Sequence, residues 1–327
     1  MQKINQYKNI LIYNSGGGLG DSIQLLPFLE TLKYNFTENN LYYLGAHENH
    51  FNNKLKDYGI SIETLDLDVK YFGFRFWHYF VAQSRFKKLT LDKMNVIIDL
   101  QSKLRNTLIL KKLPHEKFYS KTLNHFFSIP KANYSKTNDM NNLINNISIN
   151  LDKKLVIKDY QTNRIDRKFY NEAKKILPNK SYIGFSLTQG NIYRKKNWPI
   201  EKFIRLANLL VSRNKVPVFF IEKKFFELAD KIKRSVTNAI IPEMESQLFG
   251  PAFVTALSSR CERFITIDNG VMHMASLAKI PMIILFGPTN AEKFAPKNEN
   301  VIILDSKKLY NSKDINKITL EDVLKYF

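Results

Sequence analysis

The sequence has almost no cysteine and no apolar run long enough to cross a membrane. Cys261 is the only cysteine among 327 residues, so no intramolecular disulfide can form, which favours a reducing compartment. The longest apolar runs, such as 216–221 and 282–286, are far shorter than the roughly 20 residues of a membrane-spanning helix. The amino-terminal segment lacks the cleavage site of an export signal. We therefore expect a cytoplasmic protein whose chain starts with a strand.

The sequence also lacks the common motifs of nucleotide and metal sites. No Gly-Lys-Ser/Thr follows the glycines of the amino-terminal loop, so this loop is not a Walker A loop. The dinucleotide fingerprint would need glycine where Asp21 and Ile23 stand. No Asp-x-Asp motif, no His/Cys cluster with ligand spacing and no zinc-finger, zipper or RNP signature is present. The expectation is a protein that works without a metal ion or other cofactor.

Acidic residues are scarce relative to basic ones. The chain has 50 Lys and Arg but 30 Asp and Glu, which gives a formal net charge of +20. Such a charge attracts polyanions, and nucleic acid, anionic lipid and phosphorylated glycan all qualify. A high content of Lys, Asn and Ile is also typical of organisms in which all proteins share this composition. The charge alone therefore selects none of these partners.

The length and the alternation of patterns predict two α/β domains. A chain of 327 residues exceeds what one hydrophobic core usually serves. Apolar runs predict strands at 9–14, 41–45, 95–100, 181–187, 216–221, 263–267 and 281–286, and helical patterns follow at 22–33, 200–212, 225–233 and 319–327. This alternation indicates parallel sheets covered on both faces. The polar, asparagine-rich stretch 130–158 favours a boundary near residue 160, between domains 1–160 and 161–327.

A glycine-rich loop follows the first predicted strand, in the segment NSGGGLGDSIQLLPFLETLK. Its glycines, which include Gly17, Gly18 and Gly20, let the backbone turn sharply and approach a ligand. Asp21 and the serine after it are candidates to cap the next helix, and a functional carboxylate at Asp21 is the open alternative. Pro27 falls inside the apparent helix and predicts a kink or a late start.

A second strand, turn and helix occur in RFITIDNGVMHMASLAKIPMIILFGPT. Asp268, Asn269 and Gly270 form the predicted turn, and the helix is predicted over 271–278. The free N–H groups and the positive dipole end of a helix start attract phosphate. Asp268 can accept a hydrogen bond from a sugar or base hydroxyl, and His273 can donate one to a phosphate oxygen. An ordinary turn with a structural histidine is the alternative reading.

Four segments together resemble glycosyltransferase family 9, the heptosyltransferases of lipopolysaccharide inner-core assembly. The segments GGLGDSIQLLPFLETLK and TIDNGVMHMASLAKIPMIILFGPT look like the paired signatures of that family. Between them, GFSLTQGNIYRKKNWPIEKFIRLANLL is similar to the opening of its second domain, and VIIDLQSKLRNTLILKKL is a weaker match. Their order and separation make the resemblance cover most of the chain. Residues 71–92 and 130–159 carry none of it.

The resemblance implies a GT-B architecture, in which two facing Rossmann-like domains have a cleft between them. The first domain would bind the acceptor and the second the nucleotide-sugar, and the last helix is a candidate to pack back on the first domain. The implied activity is inverting transfer of heptose or a related sugar, with ADP-heptose as the expected donor. The acceptor would be the anionic, lipid-linked inner core at the cytoplasmic face of the inner membrane. The alternatives are a nucleotide-sugar epimerase of the same fold and a basic nucleic-acid-binding protein.

The resemblance also assigns site residues. It implies that Asp21 is the general base, since a carboxylate can take the proton of the acceptor hydroxyl. Lys196 is our choice for supporting the leaving diphosphate, with Lys195 and Arg194 as substitutes. The donor-binding residues implied in full are Thr188, Lys195, Lys196, Glu222, Asp268, Asn269, Gly270 and His273. Glu227 competes with Glu222 for the ribose hydroxyls, and Asn269 replaces the small hydroxyl residue usual there, which leaves the donor open.

The acceptor side is less clearly marked. The segment YFGFRFWHYFVAQSRFKK has seven aromatic residues within 71–80 and basic residues after them. A membrane-interface segment and a buried aromatic helix both fit this pattern. Arg75, Lys103 and Arg105 are candidates to bind an acceptor carboxylate or phosphate, and a solvated helix surface is the alternative for them.

Overall fold

The chain divides into two compact units, Met1–Gln161 and Thr162–Phe327. The structure, a computed structural model, describes residues 8–14, 18–37, 39–45, 48–101, 103–136, 139–178, 181–188, 196–297 and 299–327. Each unit has one sheet of five strands, and every strand pair within the two sheets is parallel. Within these described ranges, no helix is both long and apolar enough to span a bilayer.

The first unit alternates strands and helices. Its strands are β1 (Asn9–Asn14), β2 (Asn40–Gly45), β3 (Glu63–Thr64), β4 (Met94–Asp99) and β5 (His115–Ser120). Its helices are α1 (Leu19–Gln24), α2 (Leu26–Asn35), α3 (His78–Phe86), α4 (Leu104–Leu110) and α5 (Met140–Leu151). The strand order is β3-β2-β1-β4-β5, so β2 and β3 lie on one side of β1, and β4 and β5 lie on the other. The register places Leu11 of β1 between Tyr42 and Ile97.

The helix predicted over 22–33 is two helices. α1 begins earlier, with Gly18 as its N-cap, so Asp21 lies in the first turn and does not cap the helix. The capping role suggested for Asp21 is therefore wrong, because the helix already includes it. The break falls at Leu25, and Pro27 lies in the first turn of α2, where a missing N–H costs nothing. The interruption predicted from Pro27 is confirmed.

The second unit follows the same plan. Its strands are β6 (Tyr182–Ser186), β7 (Val216–Phe219), β8 (Cys261–Ile267), β9 (Met282–Phe286) and β10 (Val301–Asp305). Its helices are α6 (Arg167–Ile176), α7 (Ile200–Val211), α8 (Phe226–Ser235), α9 (Pro242–Glu245), α10 (Pro251–Ser258), α11 (Gly270–Ser276), α12 (Ala291–Phe294), α13 (Ser306–Tyr310) and α14 (Leu320–Leu324). The strand order is β10-β9-β8-β6-β7, so the winding direction reverses between β6 and β8.

The central strands of the second unit are buried on both faces, as their nearly continuous apolar sequences require. Packing is close at Gly184 of β6, where an added Cβ would lie 2.4 Å from the ring of Phe264. The closing helix α14 adds Leu320 and Val323 to the core of the second unit. Just before it, the carbonyl of Ile318 accepts a hydrogen bond from the Trp198 indole at 2.9 Å. The structure therefore places α14 in the second unit.

Candidate functional site

The candidate donor residues collect at one edge of the second sheet. β6 and β8 are parallel neighbours, so their carboxyl ends meet, and Thr188 and Asp268 follow those two ends. This is the point where the winding of the sheet reverses, which is the usual ligand position in open α/β sheets. Lys196, Asn269, Gly270 and His273 lie around the same strand ends. Lys195 and its substitute Arg194 fall outside the described residues.

Asn269 joins the ends of the two strands. Its amide nitrogen donates to the Ser186 hydroxyl at 2.8 Å and to the Thr188 carbonyl at 2.9 Å. Its amide oxygen accepts from the backbone N–H of Met272 at 2.9 Å, which makes Asn269 the N-cap of α11. The side chain predicted to contact the donor is therefore already committed to the protein. A ligand at this position would contact the backbone that the Asn269 side chain holds in place.

Lys196 and Asp268 form an ion pair at this edge. Lys196 Nζ lies 2.5 Å from Asp268 Oδ2, and the side chains are 14% and 10% exposed. The same ammonium lies 3.5 Å from the Asp268 carbonyl oxygen. A charged pair this shielded interacts more strongly than a surface pair, because little water screens it. The cation expected to support a leaving diphosphate is thus held at the end of β8.

His273 is buried behind the ion pair. Burial lowers the pKa of the imidazole to about 4, the Asp268 carboxylate opposes this shift and the Lys196 ammonium adds to it. His273 is therefore neutral at pH 7, and it acts as a neutral hydrogen-bonding group rather than as a cation. The role predicted for it, donation to a phosphate oxygen, needs only the neutral ring.

Gly270 is the first residue of α11. The helix covers seven residues and ends at Ser276, two residues before the predicted end. An added Cβ at Gly270 would meet nothing closer than Met274 Cε at 3.9 Å. The fold itself therefore leaves room for a side chain here, unlike at Gly184.

Glu222 follows β7 at the same edge of the sheet, but it is exposed and paired with Lys224 at 2.6 Å. Glu227 is also exposed, in the first turn of α8. Sequence reasoning missed a third carboxyl group, that of Glu243, which is 8% exposed. Burial raises the pKa of Glu243 to about 7, and the nearby Glu222 carboxylate adds to this shift. Glu243 reaches this edge because Ile240 pairs with Val218 of β7 in a single parallel bridge too short to predict.

Asp21 lies at the carboxyl end of β1, where the winding of the first sheet reverses. Its side chain is exposed and folds back over the helix start, so an added Cβ at Gly18 would lie 3.1 Å from Asp21 Oδ2. Burial raises the pKa of the neighbouring Tyr43 phenol to about 12, and the charge of Asp21 acts in the same direction. Gly20 is the second residue of α1. Gly17 lies outside the described residues.

Asp99 ends the neighbouring strand, β4, and is fully buried. It accepts hydrogen bonds from the Thr107 hydroxyl at 2.6 Å, the Ser120 hydroxyl at 2.8 Å and the Gln101 N–H at 2.9 Å. Burial raises the pKa of Asp99 to about 6, and these hydrogen bonds oppose the shift. Sequence reasoning missed this network, since each of its polar residues is unremarkable alone. It fixes the start of α4 against β4 and β5.

The three acceptor candidates gather around the aromatic segment. Arg105 Nε donates to the Gly73 carbonyl at 2.9 Å, and its guanidinium lies 5.6 Å from the centre of the Phe76 ring. Lys103 Nζ lies 5.9 Å from the Phe74 ring, and Arg75 is exposed within the segment. The structure therefore brings Arg75, Lys103 and Arg105 to one surface. The aromatic segment is neither fully buried nor fully exposed.

A pocket of about 520 Å³ opens beside the carboxyl ends of β2 and β3. Its volume is in the range of small-molecule sites. The lining mixes His50, Lys54 and Lys70 with carboxylates such as Asp66. Among the residues that the structure describes, no three His, Cys, Asp or Glu side chains gather as a set of metal ligands.

A family model and one curated protein match this sequence. The model of glycosyltransferase family 9 (heptosyltransferase) matches residues 83–325. Lipooligosaccharide heptosyltransferase 2 of Haemophilus influenzae is 25% identical over 112 residues, which are 33% of this chain and 32% of that protein. The chain thus spans about a third of the length of the curated relative that it matches.

Two solved structures resemble the chain over nearly its whole length. A glycosyl transferase family 9 protein from Veillonella parvula has a TM-score of 0.68 at 21% identity and covers 98% of this chain and 96% of its own. E. coli heptosyltransferase WaaC, solved with ADP-2-deoxy-2-fluoro heptose, has a TM-score of 0.67 at 15% identity and covers 97% and 98%. At these identities the likeness shows the fold. It confirms the predicted α/β class, with two parallel sheets of the GT-B type.

Proposed function

Because the chain belongs to glycosyltransferase family 9, we propose that it transfers heptose or a related sugar from a nucleotide-diphosphate donor. ADP-heptose is the donor proposed first, and the lipopolysaccharide or lipooligosaccharide inner core is the acceptor. The observation that carries the proposal is the shielded Lys196–Asp268 pair at the reversal point of the second sheet. Both residues lie within the segment that the family model matches.

The second unit holds the donor in this proposal. As the sugar leaves, negative charge grows on the diphosphate, and a cation held in advance stabilises that charge without having to reorganise. Lys196 is such a cation, since its pairing with Asp268 fixes it at the end of β8. Neutral His273 and the backbone at Gly270 supply hydrogen bonds. Glu222 takes the ribose hydroxyls, and the buried Glu243 beside it limits what fits there.

Asp21 of the first unit is the proposed general base. It stands at the reversal point of its own sheet, exposed and directly after the glycine-rich loop. A carboxylate there takes the proton of the acceptor hydroxyl while the oxygen attacks the anomeric carbon from the face opposite the diphosphate. The configuration at that carbon inverts. Nothing in this sequence of steps requires a metal ion, since Lys196 and protein amides carry the charge.

The acceptor is anionic and lipid-linked in this proposal, so the reaction takes place at the cytoplasmic face of the inner membrane. The cationic side chains Arg75, Lys103 and Arg105 suit its phosphate and carboxylate groups. The chain is then a peripheral protein that works beside the bilayer.

The test is product analysis with purified protein, ADP-heptose and a heptose-deficient core acceptor. The proposal expects a glycan longer by one sugar, with its anomeric configuration inverted by NMR and with activity that persists in a strong chelator. An isomerised nucleotide-sugar without glycan extension would instead establish the epimerase. Complete loss in chelator, restored by magnesium, would refute the metal-independent route. Tight, sequence-blind nucleic-acid binding that survives moderate salt would favour the alternative of a nucleic-acid-binding protein.

The role of Asp21 is tested by Asp21→Asn. Turnover is expected to fall by about 10²–10⁴-fold, the usual contribution of a general base, while ADP affinity stays unchanged. Gly18→Ala should lower turnover less, since its Cβ would crowd the carboxylate. The matched control is Asp230→Asn, an exposed carboxylate of α8. Normal turnover of Asp21→Asn would remove the residue from the chemistry.

A further inference from the structure

Four large aromatic side chains of one short segment project into solvent. Phe80 is 79% exposed, Phe76 73%, Trp77 53% and Tyr71 47%. Soluble proteins rarely expose a contiguous apolar surface of this kind unless it contacts a partner or a membrane. Leu104 and Leu108, one turn apart on the adjoining α4, are exposed as well. We call the four aromatics and the basic side chains of Lys70, Arg75, Lys103 and Arg105 the aromatic–basic patch.

The segment that carries the patch is built into the first unit. Phe72 and His78 are buried and their rings stack, with centroids 6.0 Å apart. The Phe72 carbonyl accepts from the Tyr13 hydroxyl at 3.0 Å, and the Gly73 N–H donates to His78 Nδ1 at 3.0 Å. Gly73 has a φ of 89°, which few other residues adopt. These anchors hold the backbone in place while the other aromatics project.

Basic side chains predominate around these aromatics. Residues 69–91 and 100–115 contain nine Lys and Arg and no Asp or Glu. Lys70 Nζ lies 5.1 Å from the Tyr71 ring, and Arg105 and Lys103 lie over Phe76 and Phe74. Asp68 pairs with Arg85, and Glu48 and Asp66 line the pocket that Lys70 and Tyr71 also line. The patch thus combines apolar insertion groups with positive charge.

We propose that the aromatic–basic patch docks the protein on an anionic lipid bilayer. Phe76, Trp77 and Phe80 enter the interface, and Lys70, Arg75 and Lys103 contact headgroup phosphates. Aromatic rings that lie level with lipid headgroups, next to basic side chains, are the usual means by which proteins bind the surface of an anionic membrane. A second copy of the chain is a poor occupant, because two cationic patches repel each other. The inference rests on the proposed function, since the patch is the surface at which the protein would meet its lipid-linked acceptor.

The chain offers an internal probe of this docking. It has two tryptophans, Trp77 in the patch and Trp198, which is 2% exposed in the core of the second unit. Insertion of Trp77 into lipid should shift its fluorescence to the blue, while Trp198 stays constant. We expect this shift with vesicles of phosphatidylcholine and phosphatidylglycerol, and we expect it to weaken with salt. Vesicles of phosphatidylcholine alone should give little of it.

The decisive variant is Phe76→Ser/Phe80→Ser in the full chain. Affinity for the anionic vesicles should fall about a hundredfold, since each of the two lost aromatic insertions corresponds to roughly a factor of ten. The matched control is Phe226→Ser/Phe249→Ser, two comparably exposed aromatics of the second unit, and it should bind as the wild type does. Lys70→Gln/Lys103→Gln, on two exposed residues that the proposal places at headgroup phosphates, should weaken only the binding to anionic vesicles. This second variant keeps the test valid if the serine variant fails to fold.

Three results would overturn the proposal. They are equal vesicle affinity of the serine variant and the wild type, binding without a Trp77 shift, and a preference for single-stranded oligonucleotide that the same substitutions abolish. Vesicle binding needs no donor, so it can be measured even if the proposed transfer fails. Conversely, Phe80→Ser, which leaves the Arg105–Phe76 contact intact, should transfer sugar normally to a delipidated, water-soluble acceptor. Loss of that activity would show that the patch serves catalysis and not docking.

Discussion

Lys196 Nζ and Asp268 Oδ2 are 2.5 Å apart although 72 residues separate them in the chain. The contact depends on the parallel pairing of β6 with β8, which brings the segments after both strands together. The pair brings a lysine and an aspartate into direct contact in a place that water reaches poorly. It also prepares a cation at the point where the proposed diphosphate would lie.

Removal of one partner of this pair should cost more than removal of both. Lys196→Met and Asp268→Asn should each lower the free energy of unfolding by about 2–3 kcal/mol, because the remaining charge is left shielded and unpaired. The double variant should recover most of this loss. ADP affinity, followed by calorimetry, should stay low in every variant that lacks Lys196. Strictly additive losses in urea unfolding would contradict the coupling, and unchanged ADP affinity of Lys196→Met would reject its donor role.

Gly270 allows a ligand contact to be separated from a packing requirement. Gly270→Ala should leave the unfolding temperature unchanged or slightly higher, since its Cβ has room and alanine favours a helix. If the donor approaches this backbone, ADP affinity should fall about tenfold, equivalent to about 1.4 kcal/mol. Gly287→Ala is the contrasting variant, because its Cβ would lie 2.8 Å from Ile315 Cβ. It should destabilise the protein, and Gly270→Ala with wild-type affinity would rule out the close approach.

The hydrogen bonds of Asn269 with Ser186, Thr188 and Met272 predict a graded series of stabilities. Asn269→Ser keeps an acceptor for the Met272 N–H but loses the links to Ser186 and Thr188. Asn269→Ala loses the cap as well, which is worth about 1 kcal/mol more. Urea unfolding should therefore rank wild type above serine and serine above alanine. Equal stability of serine and wild type would show that the links between the strand ends contribute nothing.

The sequence predicted the strands that are apolar and buried on both faces. The run 9–14 coincides with β1, and 95–100 overlaps β4 (Met94–Asp99), since short apolar runs are typical of strands in a parallel sheet covered on both faces. β5 was missed because this edge strand, HEKFYS, begins with exposed or half-buried charged residues. α5 was missed for another reason. Its buried face includes Asn146 and Asn150, and these polar residues interrupt the apolar stripe of an amphipathic helix. Both can be buried because they donate hydrogen bonds to the protein.

The sequence predicted which strand ends form the site but not the contacts that its side chains make. A turn rich in glycine and polar residues after an apolar strand marks Asp21 and Asp268 as residues of a strand end. Whether a given side chain then faces a ligand or the protein depends on the register of a distant strand, as Asn269 illustrates. The burial of Glu243 could not be predicted from the sequence, because it follows from the single bridge between Val218 and Ile240.

Glu243 predicts how stability depends on pH. Its pKa is raised from 4.5 to about 7 by burial and by Glu222, so the folded protein binds this proton more tightly than the unfolded chain does. Its contribution to stability is therefore complete below pH 4.5 and is lost as the pH rises to about 7, at up to about 1.4 kcal/mol per pH unit. Lys223 and Lys224, which also face this carboxyl group, oppose the shift.

Glu243→Gln removes the titration while it keeps the shape of the side chain. Relative to wild type, the variant should gain stability between pH 4.5 and about 7 and hold a constant advantage above that window. Urea unfolding across the window measures the difference, and other titrating groups cancel because both proteins carry them. Glu227→Gln, at an exposed position of α8, is the matched control and should follow the wild type. A difference between Glu243→Gln and wild type that does not change with pH would mean that Glu243 ionises in the folded protein as it does in the unfolded chain.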